Sequence, residues 1–142
     1  MLKLLYIFFV HLKDKKLKKI NEADIQMSVV NVLTLLQEKY KFRFFHSPNE
    51  GNRKPQYQKK LIRMGMRSGC PDLVLEFQGG KIVYVELKTK SGSQSFPQKV
   101  WEKESKELGT PYFLIKGDIF SALRKITHII KKYSLKKEQK DI

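Results

Sequence analysis

From Asn21 onward the apolar positions Ile25, Val29, Val32, Leu33, Leu36 and Tyr40 follow the helical period, which predicts a helix with one apolar face. Asn21 suits its N-cap, and Glu22 and Asp24 fall in the first turn, where the helix dipole and a capping role favour acids. The period then shortens. Phe42 to His46 reads as a short strand, Leu73, Val74, Leu75 and Phe77 as a second, and Ile82 to Leu87 as a third, all rich in residues that pack well on a pleated surface. A polar loop, Ser47 to Arg53, leads into a helix over Gln56 to Met64 that Gly65 is suited to end. After the loop Ser91-Gly92-Ser93-Gln94, Ser95 and Gln98 have capping-box spacing around Pro97. Trp101 and Leu108 are expected to pack that helix before Gly109 ends it. Tyr112 to Ile115 is the last strand, and Asp118 caps a helix carrying Ile119, Phe120, Leu123, Ile126, Ile129 and Ile130.

The ends break this pattern. Met1 to Val10 is nearly all apolar and superficially like the core of a signal peptide, but no small-residue cleavage site follows, and a basic run from Lys13 to Lys19 does. It is also shorter than the roughly 20 apolar residues that cross a bilayer. Residues 1–20 are therefore expected to form an accessory strand or an extension, and 131–142 a charge-rich basic tail that frays. The length, 142 residues, suits one domain with a real core.

Charge changes the picture most. Lys and Arg number 29 against 14 acids, a net charge of +15, which points to a polyanionic partner: DNA, RNA or an acidic membrane surface. Spread-out basic residues and a single apolar terminus argue against the membrane. Between Arg53 and Arg67 stand Lys54, Lys59, Lys60 and Arg63 with no acid among them, a run suited to phosphate contact or to a solvated face. One cysteine, Cys70, excludes an internal disulfide and fits a reducing, cytoplasmic compartment. His11, His46 and His128 are isolated, and His46 reads as a strand-end residue.

The hairpin from Pro71 to Lys88 carries the candidate chemistry. A three-residue turn, Gln78-Gly79-Gly80, places Asp72 opposite Glu86 on one face, and Lys88 joins them by the strand period of two; a two-residue turn puts Asp72 on the other face. Two carboxylates and an ammonium at a strand end are costly in a plain core. They make sense around a divalent cation, where hard oxygen ligands meet Mg²⁺ and a lysine steadies negative charge.

Pro71-Asp72 followed by Glu86-Leu87-Lys88 resembles the PD-(D/E)xK nuclease signature. Asn49-Glu50-Gly51-Asn52-Arg53, Gly65 and Gly69 ahead of Pro71, and Ser95-Phe96-Pro97-Gln98 narrow the resemblance to the virus-type replication-repair (VRR-NUC) branch, over about Asn21 to Ile130. The resemblance implies an α/β, restriction-endonuclease-like single domain. Its core order is αβββαβ, reached here by setting aside the helix at Gln56–Met64, with a mixed sheet between helices. The crossover from Glu86 to Ile115 should make a parallel pair. The implied activity is Mg²⁺- or Mn²⁺-dependent hydrolysis of DNA, with branched, flap or four-way substrates, in viral-type replication, recombination or repair within a bacterial or viral host cell. The implied metal ligands are Asp72, Glu86, the Leu87 carbonyl and Glu22. Lys88 and Gln98 complete the catalytic set, although the capping box accounts for Gln98 structurally as well. Gln26, Asn49, Arg53, Lys54, Lys59, Lys60, Arg63 and Arg67 are the expected DNA contacts, and free-standing members of this size look like homodimers. The competing reading is a basic nucleic-acid-binding domain without catalysis, in which Lys88 is merely the salt-bridge partner of two ordinary hairpin acids.

Overall fold

The computed structural model describes residues 19–48 and 53–135. The N-terminal extension up to residue 18, the expected DNA-contacting Asn49 and the end of the tail lie outside the described residues. Within them the order is α1 (Glu22–Leu36), β1 (Phe42–His46), α2 (Pro55–Arg63), β2 (Leu73–Phe77), β3 (Lys81–Lys88), α3 (Phe96–Glu107), β4 (Tyr112–Lys116) and α4 (Ile119–Tyr133). The strands form one sheet in the order β1-β2-β3-β4, antiparallel except for the parallel pair β3–β4 that α3 connects. This is the mixed α/β sheet expected from the pattern, with α2 as the added helix.

Alternation along the strands decides which helix covers which face. Leu73, Leu75 and Phe77 share a face with Val83, Val85 and Leu87, and they pack with Ile25, Val29 and Leu33 of α1 and Ile126, Ile129 and Ile130 of α4. The other face of β3 meets α3, where Tyr84 packs edge-on against Trp101 with ring centroids 6.1 Å apart. With helices on both faces, the end of β3 is enclosed: Val85, Glu86, Leu87 and Lys88 are all buried. The two polar residues in that run therefore demand a chemical account.

Four expectations change. Lys131 to Tyr133, expected in the fraying tail, form the last turn of α4, and Tyr133 packs against Phe77 with ring centroids 5.7 Å apart. α1 stops at Leu36, and Tyr40 is buried just beyond a turn rather than inside the helix. Leu108 is the C-cap of α3 and is largely exposed, so Trp101 alone of the expected pair packs the helix. Phe120 is half exposed although its neighbours Ile119 and Ala122 are buried, because α4 turns that position outward. Among the described residues, no helix is long and apolar enough to cross a membrane.

Candidate active site

The turn chemistry sets the site. Gln78-Gly79-Gly80 closes the hairpin with φ of +74° at Gly79 and +72° at Gly80, values that favour glycine. The resulting register pairs Leu73 with Val85 and Phe77 with Lys81, the three-residue-turn alternative. Asp72, at the bend before β2, thus lies at the level of Glu86. Its carboxylate replaces the ladder that β2 can no longer extend: Leu87 N–H donates to Asp72 Oδ2 at 2.7 Å. Tyr84 N–H and Lys88 C=O both bond toward β4, so by strand alternation Leu87 turns its N–H and C=O to the Asp72 side.

Glu86 and Lys88 sit on the α3 face. Lys88 Nζ lies 3.0 Å from Glu86 Oε1 and 3.3 Å from Glu22 Oε2. Gln98 Nε2 donates to the same Glu86 oxygen at 2.5 Å, while Gln98 Oε1 accepts from Ser95 N–H at 2.8 Å. One glutamine therefore closes the capping box of α3 and grips the buried acid. Glu86 Oε2, in contrast, is buried with no hydrogen-bond partner among the described residues. A carboxylate oxygen left dry and unpaired costs far more than an ordinary core atom.

Burial, reinforced by the charge of Asp72, pushes the Glu86 carboxyl up to about 7, with Lys88 pulling the other way. Burial also works against the Lys88 ammonium, but its hydrogen bonds and ion pairs with Glu86 and Glu22 outweigh that, and its pKa is raised. Lys88 thus stays protonated at neutral pH, while Glu86 is poised between its two forms.

A cavity of about 690 Å³ opens beside this cluster, with Glu22, Gln26, His46, Asp72 and Gln98 among its walls. The capped N-terminal ends of α1 and α3 both reach it, so their positive dipole ends favour negative charge there. Two glycines lie close against the assembly, and at Gly69 the neighbour is fixed backbone. A Cβ at Gly69, where φ is +81°, would lie 2.4 Å from the Pro97 backbone, and one at Gly92 would lie 2.9 Å from Glu22 Oε1.

The remaining expected DNA-binding residues divide. Lys54, Lys59, Lys60 and Arg63 are exposed on and beside α2, a helix that buries none of its residues. Arg53 is half-buried, its guanidinium on Met66 Sδ and the Pro48 carbonyl. Arg67 reaches Glu104 at 2.8 Å and lies 5.1 Å over the Trp101 ring, on α3. His46, read from the sequence as a strand-end residue, lines the cavity and places Nδ1 2.7 Å from the Asp72 carbonyl. No sequence signal distinguished it from a strand end. Met27, Val30 and Asn31 of α1 also line the cavity; Val30 borders the core and is partly buried against it, while Met27 and Asn31 are exposed and were legible only as the leftover face of that helix.

No family model matches the chain, and no curated protein does. A solved structure described as a VRR_NUC domain protein is similar to it, with a TM-score of 0.59 and 25% identity over 81% of this chain and 92% of that one. The chain has a VRR-NUC-type fold. A VRR-NUC-type domain is consistent with the mixed sheet flanked by helices, and it makes the chain a nuclease-type domain by architecture.

Proposed function

We propose that this chain is a Mg²⁺- or Mn²⁺-dependent deoxyribonuclease that hydrolyses phosphodiester bonds in branched, flap or four-way DNA. One observation carries the reading: a buried carboxylate, Glu86, holds one oxygen on Lys88 and Gln98 and leaves the other without a partner beside Asp72. A structural salt bridge would not strand an oxygen in this way, whereas a cation ligand must present one.

The donor set fits a hard cation that keeps several waters and takes one or two carboxylates. Glu86 and Asp72 would hold it with the Leu87 carbonyl, and Glu22, now turned to Lys88, would act through water. When bound, the ion supplies positive charge to the phosphate and lowers the pKa of a bound water. The residues do the rest. Lys88, fixed between Glu86 and Glu22, places an ammonium where charge develops on the phosphate or orients the attacking water. Gln98 holds Glu86 by the one oxygen it shares with Lys88, so the second is left for a cation. In this reading a second copy engages the other strand of a junction, and the process served is viral-type replication, recombination or repair.

One observation favours the alternative of a non-catalytic nucleic-acid binder. Among the described residues, no three His, Cys, Asp or Glu side chains cluster as a metal-holding group. The two readings separate on one experiment: the purified protein with Mg²⁺, Mn²⁺ or EDTA on duplex, single-stranded, flap and four-way DNA. Metal-dependent cleavage strongest on a branched substrate is expected; binding without cleavage under every metal condition would leave the binder.

The same proposal assigns α2 to the phosphate backbone. Lys59, Lys60 and Arg63 make no ion pair among the described residues, so their charge is available to a ligand. Neutralising all three is expected to weaken binding to every DNA sequence alike. It should also flatten the log–log salt dependence by about 0.9 for each duplex phosphate that the protein no longer neutralises. A slope unchanged by the triple substitution would move the binding surface off α2.

A further inference from the structure

The cavity extends well beyond the carboxylates. Its α1 wall is built from two helical rows, Glu22, Gln26 and Val30, and Ala23, Met27 and Asn31, which run away from the acidic end over roughly 13 Å at the helical rise. Beyond Gln26 this wall turns apolar. Met27 is 59% exposed although it is a large apolar side chain on a helix with its core stripe elsewhere. The amides of Gln26 and Asn31 flank it and make no hydrogen bond among the described residues.

The chemistry of the wall selects its occupant. In a chain with 29 Lys and Arg, the described residues that line this cavity include neither. A phosphate would find no cation along the α1 limb. A heterocyclic base finds what it needs: a flexible, polarisable thioether that can lie along its face, amide donors and acceptors for its edge, and room, since about 690 Å³ falls in the range of ligand-sized pockets. A base paired and stacked in a duplex cannot enter such a pocket; an unpaired or extruded one can.

We propose that the α1 limb of the cavity is a nucleobase subsite, taking the unpaired base of a nucleotide next to the phosphodiester held at Glu86. Met27 and Val30 lie against the base, and Gln26 and Asn31 meet its edge. The subsite rests on the nuclease reading for its neighbour, the scissile phosphate, and gives that reading a physical reason to prefer flap DNA: a flap presents unpaired nucleotides, intact duplex does not.

The test uses the full chain and a flap substrate whose branch fixes the register. In EDTA, which prevents cleavage, 2-aminopurine is placed at successive positions around the branch and its fluorescence read on binding. Matching substrates carry an abasic residue at each position and are assayed for affinity and, with Mg²⁺, for cleavage. One position is expected to respond, and an abasic residue there should weaken binding about tenfold, the range of a single stacked base. Met27→Glu, at an exposed position that folding does not depend on, should abolish the fluorescence response and erase the difference between base-bearing and abasic DNA; Met27→Ala should do so partially. Circular dichroism confirms that both variants fold. Tight binding with no responsive position, or a Met27→Glu protein that discriminates like the wild type, overturns the subsite. Cleavage that ignores the abasic residue overturns the subsite and leaves the nuclease reading standing. A position-specific response without cleavage of any substrate does the reverse. A protein that binds none of these DNAs overturns both.

Discussion

Asp72→Asn is expected to lower metal-dependent DNA cleavage by several orders of magnitude while leaving the fold intact. The fold should survive because the amide is nearly isosteric and can keep the hydrogen bond to the start of the hairpin ladder: the Asp72 oxygen accepts from Leu87 N–H at 2.7 Å, and an asparagine oxygen can do the same. The charge cannot be replaced. A site short of one carboxylate loses affinity for its cation, and with it both water activation and charge stabilisation. DNA binding in EDTA should hold or tighten, since a negative charge facing the phosphate has gone. Lys88→Ala is expected to abolish most activity by a different route, because an ammonium is no metal ligand and Mn²⁺ binding should persist in calorimetry. That variant carries a stability cost as well. It leaves Glu86 buried without its cation, and breaking a buried pair costs about 3–5 kcal/mol. Equal cleavage rates for wild type and a well-folded Asp72→Asn protein would remove Asp72 and its neighbours from the active site.

In metal-free buffer the protein should become less stable as pH rises from 5 to 7, and Glu86→Gln should not share that loss. The sign follows from the direction of the shift. Burial raises the Glu86 carboxyl from 4.5 in the unfolded chain to about 7 in the folded one. Between those values the folded state keeps a proton that the unfolded state releases, so stability falls with rising pH and levels off above the folded value. The drop is on the order of 3 kcal/mol at 1.36 kcal/mol per unit. Lys88 is raised from 10.5 and remains charged throughout the window, so it does not add a slope of its own. Urea unfolding in EDTA across pH 5 to 8, as the difference between wild type and Glu86→Gln, isolates the acid from every other titrating group. Excess Mg²⁺ is expected to shrink the wild-type drop, because a cation at the unpartnered oxygen favours the ionised form. A wild-type-minus-variant difference that stays flat over this range would show that Glu86 titrates normally.

The local elements follow from local chemistry, which is why they were legible. Asn21 with Asp24, and Ser95 with Gln98, cap their helices through residues three apart, and both boxes form as the spacing predicts. Two consecutive glycines at positive φ close the hairpin, and that turn alone settles whether Asp72 meets Glu86 or faces away from it. The pairing of the two acids is thus a near-neighbour property, decided within the fifteen residues from Asp72 to Glu86.

The tertiary structure decided what no spacing along the chain encodes. Glu86 is buried because α3 covers a face of β3 that could equally have met solvent, and that enclosure is what shifts its protonation and strands one oxygen. Glu22 turned to Lys88, 66 residues away, because the N-terminus of α1 ends over the close of β3. Arg67 lay in a run of basic residues that looked uniform, yet its guanidinium rests on Trp101 and Glu104 of a helix 34 residues further on or more. His46 and Met27 look ordinary in their own segments and became walls of one cavity only when the end of β1 and the exposed side of α1 were brought to it by the fold. Caps, turns and strand register depend on residues a few positions apart, so the chain states them directly. Burial and electrostatic environment depend on which surfaces meet, and that is settled when the helices pack on the sheet.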